Sequence, residues 1–306
     1  MIAPFMSFVL ECVDYNMRNN AIQTEEVSVN GDNPMTKEKL ISLAGQYIES
    51  SPNNRITDKT ALHPSCAGMR IYEVPIFAFG PANDELYMKY KSADIIGSHF
   101  QSPTEWLPSA NTVISFFLPY TDEIKKANAI NFNWPAEEWL HGRYEGQLLL
   151  QDLTLHLVKA LSEAGFESLA PSADKRFMVG GAEEGMKFAS NWSERHVAYA
   201  CGLGTFGLSK GLITEKGMCG RFGSILTELD LPKDSRKYEG IYEYCTMCGV
   251  CVAHCPAGAI SLKDGKEHSL CSEFLDKVRE KHSPRYGCGK CQVRVPCEGG
   301  IPKLPA

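Results

Sequence analysis

Regular alternation of apolar and polar positions begins at Met35. Thr36 stands where a helix N-cap belongs, and Leu40, Leu43, Ala44, Tyr47 and Ile48 follow at helical spacing. The breaker-rich S-S-P-N-N ends that helix. I-Y-E-V-P-I-F-A-F-G, before Gly80-Pro81, reads as strand, and T-V-I-S-F-F-L from Thr112 as a short buried central strand stopped by Pro119. The longest helical pattern runs from about Pro135 to Ala164. Its Leu-rich second half is apolar nearly all round, and Gly165 is placed to close it.

E-S-L-A then returns as a strand, stopped by Pro171. A Gly-rich loop leads to Ser193, which opens a short helix through H-V-A-Y-A. Leu212 to Leu229 predicts a hairpin turning at E-K-G. Mixed strands and helices of this kind predict an α+β chain with three parts. Residues 1–34 form a loosely ordered leader, 35–234 a mixed α/β domain, and 235–306 a small ferredoxin-like domain, with Leu231 to Asp234 at the junction.

Cysteine spacing changes the picture most. Cys245, Cys248, Cys251 and Cys255 follow C-x2-C-x2-C-x3-C with Pro256 next, the bacterial ferredoxin run, in which the fourth thiolate serves a second cluster. Zinc prefers two separated C-x2-C pairs. Disulfides need an oxidising compartment. Cys271, Cys288, Cys291 and Cys297 bring the ligands to eight, enough for two 4Fe–4S clusters. The expected crossed pairing puts Cys245, Cys248, Cys251 and Cys297 on one cluster, and Cys255, Cys271, Cys288 and Cys291 on the other. A three-cysteine cluster with an open iron is the alternative. Cys12, Cys66, Cys201 and Cys219 are left over and read as small buried hydrophobes.

Composition adds less. A chain of 306 residues, 43% hydrophobic and 22% charged, has the make-up of a soluble protein, and length suggests two domains. The net charge of −6 argues against a surface built wholly to clamp nucleic acid. The apolar N-terminal stretch has no basic n-region and no cleavage site, and no run reaches the length of a membrane span, so a cytoplasmic location without membrane partners is expected.

Gly202 to Gly207 matches G-x-G-x-x-G, but it follows a helix and leads to a hairpin, which excludes a dinucleotide site of the βαβ kind. Such a turn can still let backbone approach a flat cofactor. Trp192, Tyr199 and Phe206 are candidates for the floor of a cofactor pocket. His254 sits in the cluster loop as a tuning residue. G-R-Y-E-G, at 142–146, reads as a polar Gly-bounded turn, with Tyr144 and Glu145 as candidate proton donors.

These motifs come in a telling order. A strand ends in L-P-Y, G-R-Y precedes a long Leu-rich helix, and C-G-L-G-T-F-G-L-S-K-G-L-I-T is followed by F-G-S-I-L-T-E-L-D-L-P. The ferredoxin run, a lone Cys271 and Y-G-C-G-K-C-Q complete the series. Over roughly residues 75–300 this resembles the epoxyqueuosine reductase family, which is related to the reductive dehalogenases. The resemblance implies a nitroreductase-like α/β domain that holds cobalamin over the 199–213 region, beside two 4Fe–4S clusters. Tyr199, Gly202, Gly204, Thr205, Phe206, Gly207 and Lys210 are then the expected cofactor-binding residues.

The family's G-R-D-Y-H turn is here Gly142-Arg143-Tyr144-Glu145-Gly146, so Glu145 or Tyr144 stands in for its acid. The expected function is an iron–sulfur oxidoreductase whose clusters pass electrons to a bound cobalamin that reduces an organic substrate. Its electron donor would be a low-potential ferredoxin or flavodoxin, and tRNA is a possible substrate. The alternative is a ferredoxin-type electron-transfer protein without corrinoid.

Overall fold

A computed structural model describes residues 34–180 and 188–303. Most of the predicted leader, residues 1–33, lies outside them. Helix α1 (Lys37–Ser50) starts as its sequence requires: Thr36 Oγ1 accepts from the Lys39 amide at 3.3 Å, and Leu40, Ala44 and Ile48 are buried.

Four strands form the central sheet: β1 (Ile76–Pro81), β2 (Thr112–Pro119), β3 (Ser168–Leu169) and β6 (Gly220–Thr227). Their order is β1-β2-β6-β3, all antiparallel. Every residue of β2 is buried because both faces of the sheet are covered. Ile114, Phe116 and Leu118 join one core with α1 and the long helix α5 (Glu137–Glu163). Val113 joins the opposite core, with Trp106, Trp192 and the helix α6 (Glu194–Cys201). Three layers follow from that alternation. The shorter helices α2 (Glu85–Lys89), α3 (Pro103–Trp106) and α4 (Asp122–Asn128) bridge the strands.

Two expectations need correction. The 212–229 stretch is not one hairpin. The turn forms, with Thr214 bridging Gly217, but β5 (Leu212–Thr214) pairs backwards with β4 (Gly204–Phe206), while β6 enters the main sheet between β2 and β3. Nor is G-R-Y-E-G a turn, since it lies within the first turns of α5. Gly142 and Gly146 are one helical turn apart on a packed face. A Cβ would sit 3.0 Å from Tyr120 Cε1 at Gly142, and 2.7 Å from the Tyr72 hydroxyl at Gly146. These glycines make room for two stacked tyrosine rings, 5.4 Å apart.

The C-terminal part is built from α7 (Val250–Ala253), the small hairpin β7 (Ile260–Ser261) and β8 (Gly265–Lys266), and α8 (His268–His282). It is stitched to the α/β part at several points. Asp234 accepts from the Phe79 amide at 2.8 Å and from Lys37 Nζ at 2.7 Å. The Tyr238 hydroxyl donates to the Tyr199 carbonyl at 2.6 Å. Buried Lys290 donates to both Asn128 oxygens, each at 2.6 Å, while Asn128 Nδ2 donates to the Cys288 carbonyl at 2.9 Å. Among the described residues no helix is long and apolar enough to cross a membrane.

Candidate active site

All eleven described cysteines are free thiols. Cys245, Cys248, Cys251 and Cys297 line one small cavity, roofed by Gly207, Ile213, Met218 and Val295. Cys297 arrives from far along the chain because its carbonyl accepts from the Met218 amide at 3.1 Å. Cys255, Cys271, Cys288 and Cys291 all line a second, much larger cavity. The two expected ligand sets thus line different cavities.

The quartets are tight enough for their charges to matter. Burial pushes the Cys297 thiol up to about 12, and Cys245, Cys251 and Cys248 push the same way. Burial does the same to Cys288, also to about 12, with Cys291 and Cys271 adding to it. Gathering four thiolates needs compensating metal charge, and metal binding would be coupled to their deprotonation. The spacing opposes one small ion: tetrahedral zinc at about 2.3 Å per bond draws sulfurs to within ~4 Å of each other. Among the described residues no three His, Cys, Asp or Glu side chains stand that way.

The larger cavity, about 500 Å³, lies between the sheet and the C-terminal part. That is the size of a small-molecule or cofactor site. One wall holds the second cysteine quartet. The opposite wall is laid down by α5, β6 and the start of α6. Arg143, Gln147 and Gln151 recur at every fourth position of α5 and so share one face. Arg221 of β6 donates to Gln147 Oε1. Arg143 Nη2 donates to the Tyr286 hydroxyl at 3.2 Å, and Arg195 Nη1 to the Lys210 carbonyl at 2.5 Å. Burial and the neighbouring Arg143 charge press the Arg195 guanidinium below its ordinary value.

With Lys266, four cations face this space, and Glu194 is the single carboxylate among its described lining residues. Glu194 is enclosed, and burial lifts its carboxyl to about 7, against the pull of hydroxyl and indole hydrogens from Ser224, Ser172 and Trp192. Three polar atoms on this wall, Gln151 Oε1, Glu194 Oε1 and Arg221 Nε, are buried with no hydrogen-bond partner among the described residues. Each such atom costs about 1–3 kcal/mol until something meets it.

The residues expected to bind the cofactor lie elsewhere. None of Tyr199, Gly202, Gly204, Thr205, Phe206, Gly207 and Lys210 lines the larger cavity. Gly202, at φ 101°, ends α6, and Gly204 packs so closely on β5 that a Cβ would lie 2.0 Å from the Ile213 carbonyl oxygen. Thr205 Oγ1 accepts from the Tyr244 amide at 2.9 Å, and the Phe206 amide donates to the Ile241 carbonyl at 2.8 Å. The Tyr199 ring meets Tyr238 at a tilt, with centroids 5.0 Å apart. This turn therefore seats the segment that delivers Cys245, and Gly207 backs the first cysteine quartet. Of the expected pocket floor, Trp192 alone lines the cavity.

Glu145 and Tyr144 are also turned away. They sit on the flank of α5 opposite Arg143, and Glu145 is held by Arg285, whose Nε donates at 2.9 Å and whose Nη2 makes a second, shorter bond. The Leu62 amide donates to His141 Nε2 at 3.0 Å, so His141 Nδ1 carries the hydrogen and donates to Glu145 Oε2 at 3.1 Å. A carboxylate so fully engaged is a clamp. The Arg285 guanidinium lies over the Tyr144 ring, 5.6 Å from its centroid. His254 Nδ1 lies 3.2 Å from the Val293 carbonyl and outside both cavities.

Known proteins resemble the chain in both parts. A 4Fe-4S binding domain model matches residues 238–261. Tetrachloroethene reductive dehalogenases of Desulfitobacterium hafniense and Dehalobacter restrictus are 39% identical over 66 residues, 21% of this chain and 12% of theirs. The match thus spans about an eighth of those relatives. A catabolic reductive dehalogenase structure covers 87% of the chain, and 37% of its own length, with TM-score 0.51 at 13% identity. Epoxyqueuosine reductase from Streptococcus thermophilus covers 75% of this chain and 64% of its own, at TM-score 0.47 and 18% identity. The chain is similar to both groups of reductases. With the dehalogenase it shares a fold: a mixed α/β body that here carries a ferredoxin-like iron–sulfur region near its C-terminus.

Proposed function

We propose that the protein is an iron–sulfur reductase working on an organic substrate in the larger cavity. One observation carries this reading: the same cavity has four cysteines on one wall and, on the other, a cationic surface with unmet buried polar atoms. Two 4Fe–4S clusters, one per quartet, would form a short electron path. Cys248 is exposed, with Met247 and Tyr242 exposed beside it, so the first quartet is where a ferredoxin or flavodoxin would deliver electrons. The second quartet opens directly onto the site of reduction.

The cavity also suits a cobalamin. Unmatched donors and acceptors at Arg221 Nε and Gln151 Oε1 fit a macrocycle edged with carboxamides, and Phe177, Trp192 and Phe222 offer apolar surface for its ring. Gln147, Gln151, Arg221 and Arg195 are the residues that would hold it, in place of the 199–210 turn. When bound, a corrinoid supplies a low-potential cobalt centre that exchanges single electrons. A reductive dehalogenase of this fold is described as B12-dependent. The residues themselves orient the occupant, exclude water from it and hold a proton within reach.

Four cations select an anionic or strongly polar substrate. Two compounds bound by proteins of similar structure serve as probes: 3-bromo-4-hydroxybenzoic acid and an epoxyqueuosine-modified tRNA stem loop. Protein purified anaerobically and reconstituted with iron, sulfide and hydroxocobalamin should hold about eight irons and a tightly bound cobalt. Reduction of either probe by reduced flavodoxin would then establish the activity. Full iron loading with no retained cobalt and no turnover would leave an electron-transfer protein instead.

A further inference from the structure

We infer that Glu194 is the proton donor of the reduction, held with its acidic hydrogen on Oε1. The inference rests on the reductase reading and deepens it. Its basis is the direction of a hydrogen-bond chain. Trp192 Nε1–H is a donor only, and it donates to Ser224 Oγ at 2.9 Å. Ser224 Oγ in turn donates its single hydrogen to Glu194 Oε2, at 2.6 Å. Oε2 is thereby fixed as an acceptor, and the hydrogen of a neutral carboxyl belongs on Oε1. That oxygen is buried and has no partner in normal hydrogen-bond geometry among the described residues, while Ser172 and Trp192 lie near enough to pull on the carboxyl.

The placement is rigid. Trp192 is fully buried, with its ring stacked on Phe100 at 5.9 Å, and Ser224 lies mid-strand in β6, opposite Ser115 of β2. Glu194 and Ser172 both line the cavity that the second cysteine quartet also lines. The other charged groups facing this space are Arg143 from α5, Arg195 from α6, Arg221 from β6 and Lys266 from β8. His196, further along α6, is kept neutral by burial and by Arg195, its value falling to about 4. None of these charges sets the state of Glu194, which follows from burial opposed by Ser224, Ser172 and Trp192. An acid poised near neutrality can both give up a proton and recover it from water.

For the halogenated probe the step balances as R–X + 2 e⁻ + H⁺ → R–H + X⁻; an epoxide would instead take 2 e⁻ and 2 H⁺ to give an alkene and water. The C–X bond breaks, X leaves with its electron pair, and a C–H bond forms. Electrons come one at a time from the low-potential flavodoxin or ferredoxin by way of the clusters. The hydrogen comes from Glu194 Oε1, and the carboxylate left behind is reprotonated from solvent.

Glu194→Gln keeps the shape but has no acidic proton, and Ser224→Ala keeps the acid but frees Oε2. Both should be loaded with clusters and followed by infrared spectroscopy across pH. Wild-type protein should show a neutral carboxylic-acid carbonyl band that fades around pH 7 and is missing from the Gln variant. In Ser224→Ala, loss of the Ser224 hydrogen should move the titration to higher pH. With a turned-over probe, Glu194→Gln should lose at least about a hundredfold in kcat, with KM changed by less than about threefold, and Glu194→Asp should recover part of the rate.

A Gln variant that keeps the wild-type rate overturns the proposal, as does a carboxylate band at every pH. If wild-type protein reduces neither probe, the reductase reading fails separately. The infrared band then decides for or against Glu194, and Ser224→Ala answers if the Gln variant does not fold.

Discussion

The Glu145–Arg285 pair separates a structural clamp from a catalytic acid. Both side chains are mostly buried, at 15% and 13% exposure. Arg285 makes bonds to both carboxylate oxygens, and His141 adds a third donor. Hydrogen bonds to charged groups are worth about 1.5–3 kcal/mol each, and stripping one partner from a buried pair costs about 3–5 kcal/mol. The bond from Arg285 to the Thr60 carbonyl survives in Glu145→Ala, so the loss should fall at about 2–4 kcal/mol. At ~2–4 °C per kcal/mol this is a drop in Tm of roughly 5–15 °C.

Arg285→Ala should cost a similar amount. The double variant should cost less than the two singles together, by about 1–3 kcal/mol. The assay is anaerobic calorimetry of equally cluster-loaded proteins, since unequal loading would itself move Tm. Additive losses would refute the clamp. So would a Glu145→Ala protein of unchanged Tm that had lost all turnover, which would return the acid role to Glu145.

Three further outcomes follow from the geometry. Gly217, at φ 76°, lets the tail carrying Cys297 dock, and a Cβ there would lie 2.1 Å from the Glu298 carbonyl oxygen; Gly217→Ala should therefore lower iron content by iron assay and leave the second quartet loaded. Cys251→Ala should remove one cluster's electron paramagnetic resonance signal and end turnover, and an unchanged spectrum would dismiss that ligand. Glu194 should make stability depend on pH, because its carboxyl titrates near 7 folded against 4.5 unfolded. The folded state then binds the extra proton between those values, so this contribution is complete below pH 4.5 and is lost as pH rises through 7. It amounts to about 3 kcal/mol. Glu194→Gln should lack that slope, gaining on wild type between pH 5 and pH 8 in anaerobic urea melts.

Much of this was legible in the chain because it is local or periodic. The all-buried β2 run, the Thr36 cap and the Gly165 stop are decided within a few residues. The 4Fe-4S region at 238–261 was readable because cluster chemistry restricts cysteine spacing. Long-range partners were not. Whether β5 pairs with β4 or β6 depends on which edge the sheet leaves open, and no turn signal encodes that. Glycines at 142 and 146 suggest a turn by propensity, yet they answer to Tyr120 and Tyr72, remote in sequence. The cationic wall of the cavity left one faint trace, since Arg143, Gln147 and Gln151 interrupt the Leu-rich helix at every fourth position. Glu194 left none, for its character comes from Trp192, Ser224 and burial that only the folded sheet assembles.

The quartets are nested: the loop closed by Cys251 and Cys297 contains all four ligands of the other set. A chain seeking to close the outer loop first must gather roughly 45 residues. With the inner cluster already in place, the effective span shrinks to ~10 residues and the closure entropy falls by about 1 kcal/mol. Were each quartet to hold a cluster, assembly would run inner before outer, and each would make the other easier to hold. Damage has an order too. Were clusters bound, oxygen reaching the exposed Cys248 edge would meet the outer quartet before the inner one.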